Sequence, residues 1–375
     1  MTLTSSPEIV ARNWLTLSVC PGTKPADWLA LLDQTGLTPD KLVATPEPAL
    51  SEAWPAYQNL FTLLTASDNV HVHSALEWAA ADPCHYLVGY SDPRYPALLK
   101  HLRHPPLLLY CMGNLACLGR PQLAVVGSRR ATIAGKANAT AMAADLSQRG
   151  ITVVSGLATG VDKAAHEGAL RGEGSTIAVI GTGPDQTYPR QHVSLQQAIL
   201  DGGGCLVSEY PPGTPPRPYH FPRRNRLIAA MSLGTLVVEA KIRSGTLITA
   251  NLAANMGKDV FAIPGNIQNP QTEGCHWLIQ QGAKLVTGID DILDELPAVA
   301  AETGLAGDTD PQKSEVNSLA TDKLLASVDL DVTPVDVIAE RNTLPVSAVM
   351  AALLEYELRG LVAAVPGGYV KLRGK

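Results

Sequence analysis

From about residue 122 the sequence repeats one device: a short run of almost unbroken Val, Ile, Leu and Ala, a turn carrying Gly or Ser, and an Ala-rich stretch with helical spacing. The runs are "QLAVVG", "ITVVSG", "STIAVIG", "GCLVSEY", "GTLVVEA" and "KDVFAIPG". A strand with one wet face alternates apolar and polar residues, so runs that are apolar throughout must be covered on both faces. Strands separated by helices meet that demand as a parallel sheet with helices on either side, and the expected class is doubly wound α/β. A Pro-rich lead-in, "DPRYPALLKHLRHPPLLLYCMGN", starts near residue 83 and holds one further strand.

On either side of this block the pattern changes. Residues 1–82 read as short helices, since "PADWLALLDQTG" and "AWPAYQNLFTLLTAS" carry apolar residues at three- and four-residue steps and end near Gly or Ser. Their "CPGTKPADWLALL" resembles a helix-hairpin-helix or SAM-like unit. Residues 298–320 lose periodicity and gain Gly, Asp, Ser and Thr, as an exposed linker does. Residues 321–375 then give helix, turn, helix and a small hairpin around Pro366 to Gly368, the order of a winged helix. The core α/β domain is thus expected over 83–297, and 375 residues are too many for one ordinary core.

The apolar runs stop far short of the roughly 20 residues a spanning helix needs, and the N-terminus lacks a basic start followed by an apolar core. A cytoplasmic location without membrane contact is expected. Six cysteines without a CxxC pair read as small core hydrophobes in a reducing compartment. His71 and His73 lack a third ligand and read as part of a wet loop, so no metal is assigned. The formal charge of −6 excludes a chain that is basic all over, yet between Arg217 and Arg243 six basic residues face one acid, Glu239. A local positive face is enough for an anionic partner.

Ligands of an open parallel sheet collect outside the carboxyl ends of its strands, where helix N-termini present free N–H groups. Four segments put Gly and hydroxyl residues there: "VVGSRRAT", "VVSGLATG", "IGTGPD" and "RSGTLITA". Arg129, Lys241 and Arg243 stand in or beside them and favour an anion. The Walker spacing fails, because Lys136 is followed by Ala137, and the dinucleotide fingerprint fails at Gln186. No nucleotide cofactor is expected. Ser155 is not in a GxSxG setting, and Asp162 with His166, one helical turn apart, reads as a cap and clasp as readily as an acid/base couple. Both structural and catalytic readings of Glu239 stay open.

The stretch "HFPRRNRLIAAMS" clusters Arg223, Arg224 and Arg226 behind Phe221. Three like charges cannot share a buried helix face unpartnered, so all three are expected to face solvent or anions. An aromatic beside several guanidiniums suits a base stacked next to a phosphate track.

These residues carry a resemblance. "YPALL", "VVGSRRAT", "VVSGLATGVDKAAHEGAL", "TIAVIGTG", "SEYPPG", "FPRRNRLIAAMS", "VVEA", "RSGTLITA" and "VFAIPG" occur in order over about 95–265, and so arranged the chain resembles the DNA-processing protein A family. The resemblance implies an extended Rossmann-like core holding single-stranded DNA, a SAM-like N-terminal domain and a winged-helix C-terminal domain. It implies a non-catalytic recombination mediator in natural transformation that loads RecA, and a homodimer through the core. It points to Arg129, Gly156, Phe221, Arg223 and Arg226 as DNA contacts. Ser244 and Thr246 join them from helix-terminus physics, and Arg224, Lys241 and Arg243 from electrostatics. The long helix of the tail carries Glu355 and Glu357 against Arg359, which suits protein contact or packing better than the major groove. The competing enzyme reading is a nucleotide hydrolase similar to the phosphoribohydrolases, built on Gly234, Thr235 and Glu239; a purely structural module would leave the arginines unused.

Overall fold

The computed structural model of the chain describes residues 7–66, 70–296 and 323–372. The expected linker at 298–320 lies outside the described residues. The N-terminal region is helical, with α1 (Pro7–Val19), α2 (Pro25–Thr35), α3 (Pro39–Ala44), α4 (Glu47–Ala53), α5 (Gln58–Thr65) and α6 (Val70–Ala80). Local sequence sets these limits: α2 opens on Pro25, has Asp27 accepting the Lys24 N–H at 2.8 Å, and stops at Gly36 with φ 67°. His71 and His73 sit on α6 rather than in a loop, because Val72 and Ala75 give that segment a buried helical face. His73 Nε2 lies 3.1 Å from Glu77 on the exposed side.

Among the described residues the sheet has nine strands in the order β1-β2-β6-β5-β4-β3-β7-β8-β9. They are β1 (His85–Gly89), β2 (Leu108–Gly113), β3 (Gln122–Val126), β4 (Thr152–Ser155), β5 (Thr176–Ile180), β6 (Cys205–Ser208), β7 (Gly234–Val237), β8 (Asp259–Ala262) and β9 (Lys284–Leu285). From β6 to β9 all neighbours run parallel, but β1–β2 and β2–β6 are antiparallel, so the expected parallel sheet carries an antiparallel edge. The cause is the Pro-rich segment between β1 and β2, which forms only a short 3-10 turn at Ala97–His101 where a parallel return needs a crossover.

Crossover helices cover both faces: α7 (Ile133–Gln148), α8 (Val161–Ala169), α9 (Val193–Asp201), α10 (His220–Met231), α11 (Gly245–Asn255), α12 (Glu273–Gln280) and the short α13 (Asp290–Leu293). Successive side chains of β3 go to opposite sides. Leu123 and Val125 pack with Ala139, Ala143 and Leu146 of α7 and Ala164 of α8, whereas Ala124 and Val126 pack with Leu227 and Ile228 of α10 and Leu247 of α11. The N-terminal helices add a third core, in which Trp14, Trp28 and Phe61 meet Leu87, Leu108 and Tyr110 of the antiparallel edge. Gly89 makes room there, since a Cβ on it would lie 2.5 Å from the Trp14 ring.

The C-terminal part contains α14 (Lys323–Ala326), α15 (Val335–Asn342), α16 (Val346–Leu358) and the hairpin β10 (Val362–Val365) and β11 (Gly368–Lys371), around a small core of Leu325, Ile338, Val349 and Leu353. This is a winged-helix order. Among the described residues no single helix is long and apolar enough to cross a membrane. Cys20, Cys111, Cys117, Cys205 and Cys275 are buried thiols, and Cys84 is exposed.

Topology places the site. After β3 the chain winds outward through β4, β5 and β6, then returns through α10 to β7 on the other side of β3. The loops leaving β3 and β7 diverge at this switch point and open a crevice at their carboxyl ends.

Candidate functional site

The loop after β3, residues 127–132, is clamped by backbone. Ser128 N–H donates to the Glu239 carbonyl at 2.7 Å, and Val161 N–H donates to the Ser128 carbonyl at 3.1 Å. The start of α8 approaches so closely that Gly160, at φ 80°, lies directly on the Ser128 carbonyl. Only glycine serves there, because a side chain would be strained and would overlap that oxygen. With its backbone fixed, the loop sends Arg129 and Arg130 outward, and the Arg129 guanidinium stands 5.8 Å over the centre of the Phe221 ring.

The segment after β7 forms the facing wall. Lys241 and Arg243 are exposed, and Ser244 takes the N-cap position of α11 without a side-chain bond to the helix. Its Oγ is buried and has no hydrogen-bond partner among the described residues. Between the two walls lies a cleft of about 500 Å³ lined by Arg129, Arg130, Phe221, Asn225, Lys241, Arg243, Ser244, Thr246 and Gln271, with Arg224 and Asp162 also reaching it. Among the described residues no carboxylate lies within 4 Å of the charged atoms of Arg129, Arg130, Lys241 or Arg243. Four unpaired cations around one concavity, with the first-turn N–H groups of α11 beside them, form a receptor for an anion.

The three clustered arginines part company. Successive helical residues are turned about 100° from one another, and on α10 Arg223 reaches solvent, Arg224 turns inward and Arg226 turns to a neighbouring loop. Arg226 pairs with Glu209 and donates to the His104 carbonyl at 3.1 Å. Arg224 departs from the expectation in being buried: it is 3% exposed, reaches the cleft only by its edge, and donates to the carbonyls of Gly156, at 2.8 Å, and Val179. Its charge is tolerated because a buried carboxylate, Asp162, stands opposite and itself accepts the N–H groups of Gly156 and Ala158 at 3.2 and 3.3 Å. Burial lowers the Arg224 pKa to about 10 and pushes that of Asp162 up, so desolvation outweighs their attraction, though Arg224 stays charged at neutral pH. Gly156 belongs to the same arrangement. It is buried with both backbone polar groups spent, and a Cβ on it would lie 2.6 Å from the Arg224 guanidinium. It supports the cleft from beneath and does not line it.

Asp162 and His166 each bond the loop at 156–158. His166 Nε2 accepts the Leu157 N–H at 3.3 Å and its Nδ1 meets Thr176 Oγ1 at 2.8 Å. Burial holds this imidazole neutral, with its pKa lowered to about 3. Glu239 is likewise a cap: it accepts the Thr132 N–H at 2.9 Å and the Thr132 hydroxyl at 2.6 Å at the head of α7. Gly135 is required beside it, since a Cβ there would overlap the carboxyl group. Burial raises the Glu239 pKa.

Several lining residues had little or no sequence signal. Arg130 is signalled only by standing next to Arg129, whereas Gln271, which accepts the Ser128 hydroxyl at 2.9 Å, arrives from a loop before α12. Tyr188 places its ring 5.2 Å from Phe221, and His220 stacks on Tyr210 at 4.0 Å with Nδ1 held by the Gly181 carbonyl. Phe221 is therefore wedged at one side and half-open at the other.

Residues 86–297 match the family model described as DNA recombination-mediator protein A, and residues 308–368 match that of the DprA winged helix domain. Protein Smf of Escherichia coli (strain K12) is 46% identical over 308 residues, 80% of this chain and 81% of that protein. DNA processing protein DprA of Streptococcus pneumoniae (strain ATCC BAA-255 / R6) is 49% identical over 205 residues, 54% of this chain and 72% of that protein. Among solved structures, DNA processing protein A from Streptococcus pneumoniae superimposes with a TM-score of 0.64 at 37% identity, covering 76% of this chain and 97% of that one. DNA processing protein A from Helicobacter pylori, studied for its single-stranded DNA binding mode, superimposes with a TM-score of 0.51 at 29% identity, covering 57% of this chain and 96% of that one.

Proposed function

The chain belongs to the DNA recombination-mediator protein A family, and from this and the geometry of the cleft we propose that it binds single-stranded DNA between the loops that follow β3 and β7. The observation that carries the reading is the set of four unpaired cations, Arg129, Arg130, Lys241 and Arg243, around a cleft whose side wall is Phe221. Cations and first-turn N–H groups hold phosphates regardless of sequence, and an aromatic face half-open to the cleft takes an unstacked base, which a duplex does not offer.

In this reading the protein is a mediator and not an enzyme: it protects the strand in natural transformation and passes it to RecA. Of the carboxylates that could act as acid or base, Glu239 spends both oxygens on Thr132 and Asp162 holds two backbone N–H groups with one oxygen, Oδ2, which supports a binding role. A homodimer through the core accompanies this function. At the β9 edge Leu285 is 43% exposed, an apolar side chain for a second copy to cover.

Filter binding of oligothymidine and duplex across a salt series tests the reading. Four phosphate contacts at about 0.7 each give a log–log salt slope of at least about −3 in magnitude, with duplex held more weakly. Arg129→Ala and Arg243→Ala each weaken oligothymidine binding while circular dichroism stays unchanged. Equal affinity for duplex, or unchanged affinity in both variants, would remove the cleft as the binding site.

A further inference from the structure

The cleft does not end at Arg129. On the far side of that residue lies a second groove of about 450 Å³, formed by the first turns of α7 and α8 and by Gln191. Arg129 is the one lining residue the groove and the cleft have in common. Lys136 and Lys163 join it there, against a single carboxylate, Glu167, which stands 3.5 Å from Lys163 with both side chains about half exposed. Such an exposed pair holds its lysine only loosely. Lys136 has no ion pair among the described residues.

We propose that a bound strand passes over Arg129 out of the cleft and runs on through this groove, where Lys136 and Lys163 form a second phosphate-binding subsite. The inference rests on the single-strand reading and adds a direction and a length to it. Two features of the groove favour phosphates over bases. Of the uncharged polar groups, all but the exposed Gln191 are already used, with the Thr159 hydroxyl on the Arg129 carbonyl, the Thr140 hydroxyl on the Ala164 carbonyl and His192 Nδ1 on the Leu157 carbonyl. No Phe, Tyr or Trp lines it, so nothing there offers a stacking platform. What remains is charge, which grips a backbone without reading it.

The division of labour is visible in length. An oligothymidine of about 6 nucleotides occupies the cleft, and one of about 15 also enters the groove, lengths within the roughly 4–16 nucleotides that a single-strand-binding domain of another fold covers. The full-length chain is titrated with both, as wild type and as Lys136→Glu/Lys163→Glu. Wild type binds the longer strand more tightly. In the variant, affinity for the longer strand falls about tenfold or more, its salt slope shrinks by about 1.4, and affinity for the shorter strand stays within about twofold. Arg129→Ala weakens both lengths. Unchanged affinity and slope for the longer strand would overturn the groove while leaving the cleft intact, and so would equal losses at both lengths, which mark a general effect of charge. Failure of the wild type to bind either length would overturn the single-strand reading itself, and the groove with it.

Discussion

Removing Arg224 tests whether it carries structure or ligand. The guanidinium is 3% exposed, bonded to the Gly156 and Val179 carbonyls, and faced by Asp162. Arg224→Met leaves a buried carboxylate without its counter-charge and two carbonyls short of a donor. Removing one partner of a buried pair costs about 3–5 kcal/mol. Because burial has already moved both pKa values against the charged forms, replacing the whole pair should be far cheaper than halving it. The double variant Arg224→Met/Asp162→Asn therefore recovers about 1–3 kcal/mol of the loss, as coupled neighbours do. Urea unfolding followed by circular dichroism measures all three variants. The double variant keeps the net charge beneath the cleft, so its affinity for oligothymidine stays within about threefold of wild type. If Arg224→Met were as stable as wild type to within about 1 kcal/mol and instead lost DNA as Arg129→Ala does, the guanidinium would be a ligand contact and the buried-pair account wrong.

Three further outcomes follow from the same geometry. The His166 ring has a native pKa of about 3 against 6.5 when unfolded, so the unfolded chain takes up the proton first. Stability is full above pH 6.5 and is lost as pH falls towards 3, by about 2 kcal/mol between pH 6.5 and 5. His166→Gln should remove that part of the urea-midpoint shift, whereas the upward shift of Asp162 acts with the opposite sign and is common to both proteins. Gly135→Ala pushes the Glu239 carboxyl off Thr132 and costs about 1–3 kcal/mol in urea unfolding, whereas the same change at the open Gly245 costs under about 1 kcal/mol. If the proposed dimer pairs through the β9 edge, Leu285→Arg places a charge there and leaves a monomer in sedimentation velocity where the wild type sediments as a dimer, with circular dichroism unchanged.

The sheet was legible because apolar runs between Ala-rich helices leave few other ways to bury both faces. What escaped was the antiparallel edge: β1, "HYLVG", is short and sits in a Pro-rich lead-in whose sequence does not announce its direction. Arg129 and Phe221 are legible through the family resemblance, Lys241 and Arg243 through their charge beside a strand end, and Ser244 and Thr246 through the start of a helix; the structure brings all six into one cleft. Gly156 and Arg224 are buried, against expectation, for one shared reason. Sequence shows a charge and a glycine but not that a carboxylate six residues after the glycine, Asp162, would be buried opposite the arginine and make its burial bearable. Gln271 and Tyr188 had no local signal, since their place in the site depends on where long loops land.

Proximity along the chain and proximity in space run in opposite directions here, for a reason that belongs to the fold. On α10 the side chains of neighbouring residues point about 100° apart, so three arginines within four positions serve solvent, a buried carboxylate and a half-buried glutamate on a neighbouring loop. In the parallel sheet every strand ends at the same rim, so Arg129 and Arg243, separated by more than a hundred residues, stand on facing walls. A run of arginines is therefore weak grounds for a shared ligand when it lies on a helix. Single cations just beyond successive parallel strands are stronger grounds, because the topology itself collects them. By the same logic Lys136 and Lys163, each one turn into the helix that follows its strand, belong with Arg129 more than Arg226 does.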